Sequence, residues 1–245
     1  MDISGFELRT PIASRREFDE YMGVDSGLLL NEEIEAARPD LHRAFARDFD
    51  GPLILRKVHD RCWVTRRGER VFPPELSRGA VYLARDPRDV AVSCADFFGL
   101  DIDETIRRMN DQDAALANSQ SHGSTQLPQP LGSWSQHVAS WLDDSKMPVH
   151  LVRYEDLLED TPDELRKVAV FLGLPAEAVA DATQMVTFHS LQAQEEQKGF
   201  AEQLQAGKRF FRQGRAGRWR ETLSAAQADR LWRDHEAAMM RLRYA

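Results

Sequence analysis

The sequence predicts an α/β protein with a parallel sheet and helical crossovers. Two kinds of observation predict it: short apolar runs that end in polar turns, and helix-start signals placed directly after two of those runs. The runs are PLILRKVH, AVYLARDP and VHLVRYED. A chain of 245 residues, 42% hydrophobic and 29% charged, is long and apolar enough to bury a sizeable core. No linker divides it, so residues 1–245 read as a single domain.

The first run, Leu53 to Leu55, is expected to be a strand that passes into Arg56-Lys57-Val58-His59-Asp60. After the second run, Asp86 can cap a helix that begins with Pro87, and Val90, Ala91, Cys94, Phe97 and Phe98 share one face of it. After the third, Thr161, Pro162 and Glu164 form a capping box, Leu165, Val168 and Leu172 an apolar stripe, and Gly173 a stop. A final helix starts at Ser224 with Gln227 as its box partner, and Ala228, Leu231, His235, Ala238 and Leu242 recur at helical spacing. That stripe is expected to pack on the sheet. The stretch ANSQSHGSTQLPQPLGS reads as a mobile loop, and the stretch from about Gln192 to Phe210 as irregular. There is no internal repeat.

A net charge of −8 argues against general nucleic-acid binding while leaving room for a local basic pocket. Cys62 and Cys94 cannot form a disulfide framework, lack zinc-site spacing, and are expected to be buried thiols in a reducing compartment. No apolar run reaches bilayer length, and the opening residues lack the basic and apolar regions of a signal peptide, so a cytoplasmic location without a membrane partner is expected.

In an open parallel sheet, ligands bind beyond the carboxyl ends of the strands, so the residues there are the first candidates. Arg85 ends the second run, and Ser93 follows about two turns into the helix. A guanidinium and a hydroxyl so placed can grip one phosphate, although Arg85 could equally pair with Asp86 or Asp89. If Leu53–His59 is extended, alternation puts Lys57 and His59 on one side, and an ammonium disfavours a neighbouring imidazolium, which suits a general base. A histidine at such a position is also commonly structural. Tyr154, after the third run, can lie against a base or in the core. In RFFRQGRAGRW, Arg209, Arg212 and Arg215 with Gly214 and Gly217 hold the ingredients of an anion nest, or of a solvated basic loop anchored by Trp219.

These elements in this order resemble cytosolic-type sulfotransferases that use 3′-phosphoadenosine 5′-phosphosulfate (PAPS). The resemblance covers most of the chain. VYLARDPRDVAVSCADFF resembles the family's 3′-phosphate-binding segment, which implies that role for Arg85 and Ser93. LRKVHD resembles the segment of the catalytic base, which maps to His59, with Lys57 assisting charge at the transferring group. LVRYEDLLEDTPDELRKVAVFLGL resembles the stretch whose tyrosine contacts the adenine, here Tyr154. MVTFHSL resembles the stretch lining the nucleotide site, here Thr187 and Phe188. FFRQGRAGRW resembles the family's arginine-lysine-glycine motif, giving Arg212 and Gly214, with Gln213 where lysine is usual.

The resemblance implies a three-layer sandwich around a central parallel sheet, the P-loop NTPase-like sulfotransferase fold. It implies sulfuryl transfer from PAPS to a hydroxyl or amine on a small-molecule acceptor, with adenosine 3′,5′-bisphosphate (PAP) as product and no metal. The acceptor pocket is expected in variable loops, from Asp101 to Ser133 and from Gln192 to Phe210. Two departures stand out. The family's first strand and its lysine- and glycine-bearing 5′-phosphosulfate loop have no counterpart in these 245 residues, so a truncated or degenerate nucleotide-binding module is the alternative reading. The family's dimer motif is only loosely echoed in WRETLSAAQADR, at Arg220, Ser224, Ala225 and Asp229, which leaves monomer and homodimer open.

Overall fold

The computed structural model describes residues 13–50, 53–117, 125–177, 179–180, 183, 186–200 and 210–245. They gather into two compact units. Of the described residues, one comprises those within 81–110 and 150–245, the other those within 13–80 and 111–149.

The first unit carries the strand-turn-helix pattern. Strand β1 (Ala80–Ala84) lies beside β4 (Val149–Arg153) in a parallel sheet. β1 feeds helix α3 (Pro87–Phe98), whose first turn is capped by Asp86 through a bond from the Arg88 N–H (2.9 Å). Gly99 stops it in the left-handed conformation that glycine adopts without steric cost (φ 69°). The buried face is Ala91, Val92 and Ala95, with Val90, Cys94 and Phe97 only half-buried and Phe98 exposed. The expected stripe is therefore rotated: the line through Val90, Cys94 and Phe98 borders the core and leaves Ser93 open to solvent.

β4 passes into α6 (Tyr154–Glu159) and α7 (Thr161–Leu172). The cap of α7 is Asp160, which accepts from the Asp163 N–H, whereas the Thr161 hydroxyl donates back to the Leu157 carbonyl (2.6 Å). The expected box is thus displaced by one residue, because the stronger carboxylate acceptor takes the cap. The final helix, labelled α9 here (Ala225–Arg241), is capped by Ser224 and Gln227 as expected. Its buried side chains Leu231, His235 and Met239 belong to the face that packs on α3 and on α4 (Ile102–Met109). Ala91, Ile106 and Leu231 are the centre of that cluster. The expectation that this helix packs on the sheet gives way to helix-on-helix packing, because α3 and α4 offer it an apolar groove.

The expected irregular stretch from Gln192 is helical at its start. Helix α8 (Phe188–Lys198) begins at a Thr187–Ser190 capping box. Its sequence hides the helix because its inward contacts are polar: Glu195 is buried and Gln192 bonds backbone carbonyls. Residues 201–209 of that stretch, including Arg209, lie outside the described residues.

The second unit is built from α1 (Arg15–Met22), α2 (Asn31–Asp48) and α5 (Trp134–Leu142), with a short antiparallel pair of β2 (Ala115–Leu116) and β3 (Gln129–Pro130). The expected strand at Leu53–Leu55 does not form. Residues 53–59 are irregular, with Leu55 55% exposed, and the only two ladders among the described residues are β1 with β4 and β2 with β3. An apolar run becomes a strand only when a neighbour accepts its ladder. The expected mobile loop is also partly core, since Leu127 and Gln129 are buried and the Leu127 N–H donates to the Ala13 carbonyl (2.6 Å). Residues 118–124 of it lie outside the described residues. Among the described residues no helix is long and apolar enough to cross a membrane.

Candidate functional site

The candidate nucleotide residues all fall in the first unit. β1 delivers Arg85 at its carboxyl end, where the guanidinium stacks over the Tyr154 ring at the start of α6 (4.4 Å to the centroid). One Arg85 Nη reaches the Arg215 carbonyl (3.3 Å) and lies 3.8 Å from an Asp89 oxygen. Asp86 is not its partner, because Arg88 takes both Asp86 oxygens while also donating to the Tyr244 carbonyl (2.6 Å). Arg85 Nε is buried without a hydrogen-bond partner among the described residues. Its positive charge acts against burial at the Cys94 thiol, yet burial dominates and pushes that thiol up to about 11. Cys94 is half-buried, not fully buried as expected, while Cys62 is buried and its thiol is also raised by loss of solvent.

The basic loop after α8 is pinned to α3 by two carboxylates. Asp89, fully buried, accepts the N–H groups of Gly217 (2.6 Å) and Trp219 (2.9 Å). Asp96, about two turns further along the same face, pairs with both Arg212 and Arg218, the latter at 2.8 Å. From the other side, Gln192 of α8 donates to the Phe211 (2.8 Å) and Arg212 (3.1 Å) carbonyls, and Glu195 accepts the N–H groups of Phe210 and Phe211. Phe188 packs closely against Gly214. A Cβ at Gly214 would fall 2.5 Å from the Phe188 ring, and its φ of 58° also favours glycine, so this close approach requires that residue. Gln213 accepts from Arg215 Nε (2.9 Å).

One connected set of contacts therefore joins Arg85, Tyr154, Phe188, Arg212, Gln213 and Gly214. Thr187 sits at its border as the α8 cap, its hydroxyl accepting the Ser190 N–H (3.1 Å). Ser93 is exposed on α3, between the turns that carry Asp89 and Asp96. The sequence reading named Asp89 only as a partner for Arg85 and missed Asp96, although their i, i+7 spacing on the helix that carries Ser93 was the available signal.

Lys57 and His59 belong to the second unit. Lys57 is half-buried and His59 exposed, so the extended alternation that would have matched them is absent with the strand. Their segment is held by side chains. Asp60, fully buried, binds both terminal nitrogens of the buried Arg38 on α2, one of them at 3.0 Å. The Trp141 indole donates to the Asp60 carbonyl (3.0 Å), and the Cys62 N–H donates to the Ser140 hydroxyl (3.0 Å). The His137 imidazole donates through Nε2 to the His59 carbonyl (3.0 Å).

The sulfotransferase domain model matches residues 74–243. Sulfotransferase 2A6 of Rattus norvegicus is 29% identical over 192 residues, which cover 74% of this chain and 65% of that protein. Sulfotransferase 1A1 of the same organism is 27% identical over 231 residues, 91% of this chain and 70% of that protein. This chain thus spans 65% of the length of the former. Among solved structures, retinol dehydratase in complex with androsterone and inactive cofactor PAP superposes with a TM-score of 0.55 at 21% identity, over 91% of this chain and 66% of that one. At that identity the likeness shows a shared fold. The family model covers well over half of the sequence, and the chain belongs to the sulfotransferase domain family.

Proposed function

We propose that this protein is a PAPS-dependent sulfotransferase that transfers a sulfuryl group to a hydroxyl or amine of a small-molecule acceptor. The reading takes residues 1–245 as one domain acting in the cytoplasm. The observation that carries it is the Arg85 cluster: a buried Nε without a partner among the described residues, on a guanidinium stacked over Tyr154, beside a glycine-bearing basic loop. An orphaned donor on a cation is costly in a folded protein and is relieved by an anion. The Arg85 side chain as a whole keeps about a quarter of its surface exposed, at 26%, although Nε itself is buried. These residues fit a nucleotide phosphate.

In this reading Arg85 and Ser93 hold the 3′-phosphate, Tyr154 and Phe188 flank the adenine, Thr187 lines the site, and Arg212 and the Gly214 backbone close it. Gln213 contributes a neutral contact where a lysine would add charge. When bound, PAPS supplies the sulfuryl group and departs as PAP. His59 takes the proton from the acceptor hydroxyl or amine as the acceptor oxygen or nitrogen bonds to sulfur. Lys57 places positive charge where the departing bridge oxygen becomes negative. The retinol dehydratase structure holds PAP together with androsterone, which supports a nucleotide of this type and a small acceptor.

The experiment is release of PAP from PAPS with a panel of phenols, alcohols and amines. In folded His59→Ala, turnover is lost while PAP affinity stays within a few fold of wild type. Unchanged turnover in that variant contradicts the assignment of the base.

A further inference from the structure

The segment that carries His59 lacks the support a strand would give it, and helix α5 supplies a substitute. Residues 137, 140 and 141 lie at i, i+3 and i+4 spacing and so share one face of that helix. From this face, His137 Nε2 binds the carbonyl of His59 (3.0 Å), Trp141 Nε1 binds the carbonyl of Asp60 (3.0 Å), and Ser140 Oγ accepts the N–H of Cys62 (3.0 Å). The Arg61 N–H goes to the Pro130 carbonyl (2.9 Å), just before α5 begins. The Arg38 guanidinium fixes the Asp60 carboxylate from the opposite element, α2. Every residue from 59 to 62 is thus held through its backbone by partners 69 to 81 residues further along the chain.

The helix is itself well anchored. Ser133 and Gln136 form a reciprocal capping box at its start. Gly132 brings Gln136 and Arg61 together, since a Cβ there would meet Gln136 Oε1 at 2.7 Å and Arg61 Nη1 at 3.0 Å. Its position is therefore coupled to the 59–62 segment at the cap as well as along the face.

We propose that His137 is a positioning residue for His59: its Nε2–H fixes the His59 carbonyl, and through it the direction in which the exposed His59 imidazole projects. The proposal rests on the reading of His59 as the general base. The bond requires the Nε2–H tautomer of His137. Loss of solvent around the ring lowers the basicity of His137, while the bond to the His59 carbonyl acts in the opposite direction. A neutral ring is a single directed donor, and it brings no full charge next to a base that must gain a proton. A base 1 Å out of place forfeits much of its advantage, so a fixed backbone matters more on an irregular segment than it would on a strand.

The test uses the full chain and has a readout that does not pass through catalysis. In amide hydrogen exchange, the segment 58–62 exchanges about fivefold to tenfold faster in His137→Leu, the amount expected for one lost hydrogen bond. His137→Gln, whose side-chain amide can reach the same carbonyl, returns exchange to near wild type, and the segment 80–84 is unchanged in both. His137→Asn, polar but too short to reach, is the second breaking variant if His137→Leu fails to fold. In the PAP-release assay, the breaking variants lower kcat with KM for PAPS unchanged, and His137→Gln recovers it. Wild-type exchange at 58–62 in a folded breaking variant overturns the proposal. So does an unchanged kcat in that variant when His59→Ala abolishes turnover. Normal turnover in His59→Ala overturns the base assignment instead, and the exchange data tell the two failures apart.

Discussion

Two segments of this protein carry candidate basic side chains, one in each compact unit, and they are held in opposite ways. Arg85 stands at a strand end that runs straight into a capped helix, so the backbone that aims it is fixed by ladder bonds and by Asp86. Lys57 and His59 stand on irregular chain fixed by long-range partners: a buried ion pair and three side chains of one helix face. In the first case, support comes from neighbours in sequence. In the second it comes from residues far along the chain, and loss of one partner is felt at once.

The largest expected effect lies in the second segment. Asp60→Ala leaves the Arg38 guanidinium buried and uncompensated, at a cost of about 3 to 5 kcal/mol. Chemical denaturation measures it. Replacing both Arg38 and Asp60 with apolar residues of similar volume should cost less than Asp60→Ala alone, because no charge is then stranded. If the single variant is as stable as wild type, the segment is not held by this pair.

The next effect sharpens the contrast at the nucleotide site. Arg85→Ala weakens PAP binding by about 1.5 to 3 kcal/mol, the range of a charge-assisted hydrogen bond. Arg212→Ala weakens it less, because Arg212 already pairs with Asp96 and sits on a loop whose ordering costs entropy. The reverse ranking by calorimetry on folded variants would make the loop the principal anchor.

A smaller effect separates crowding from backbone strain. Gly23 and Gly214 both have positive φ, 67° and 58°, but a Cβ at Gly23 meets nothing within 4 Å whereas one at Gly214 meets the Phe188 ring. Gly23→Ala is expected to cost about 1 kcal/mol of backbone strain. Gly214→Ala should cost more and also weaken nucleotide binding, since Phe188 must move. Equal costs by thermal melt would show that the Phe188 contact is easily relieved.

The last effect is a pH dependence. His42 of α2 is lowered to about 3 by burial, reinforced by the nearby Arg38 and Arg56 charges. Its imidazole is neutral when folded and takes up a proton when unfolded, so its contribution is complete above the ordinary value of 6.5 and declines as pH falls towards about 3. His42→Phe should flatten this part of the stability profile below pH 6.5. A parallel profile in the variant would place the acid sensitivity elsewhere.

What was legible in the sequence follows the same division. Asp86-Pro87 and Ser224 with Gln227 announce helix starts through contacts two or three residues long, and both are present in the structure. Arg85 and Tyr154, read from strand ends, meet as cation and ring. The strand read into Leu53–Leu55 was apolar enough but has no ladder partner there. Helix α8 was hidden because its inward residues, Gln192 and Glu195, are polar and bond a loop 15 to 20 residues away. The Arg38–Asp60 pair and the α5 face act across 22 to 81 residues, where single-sequence spacing carries no signal.

In the proposed reading this chain grips a 3′-phosphate through Arg85 and Ser93, and calorimetry compares its binding of PAP with that of adenosine 5′-monophosphate. PAP is expected to bind more tightly, with the difference between the two nucleotides largely erased in Arg85→Ala. Equal affinity of the wild-type chain for both would contradict it.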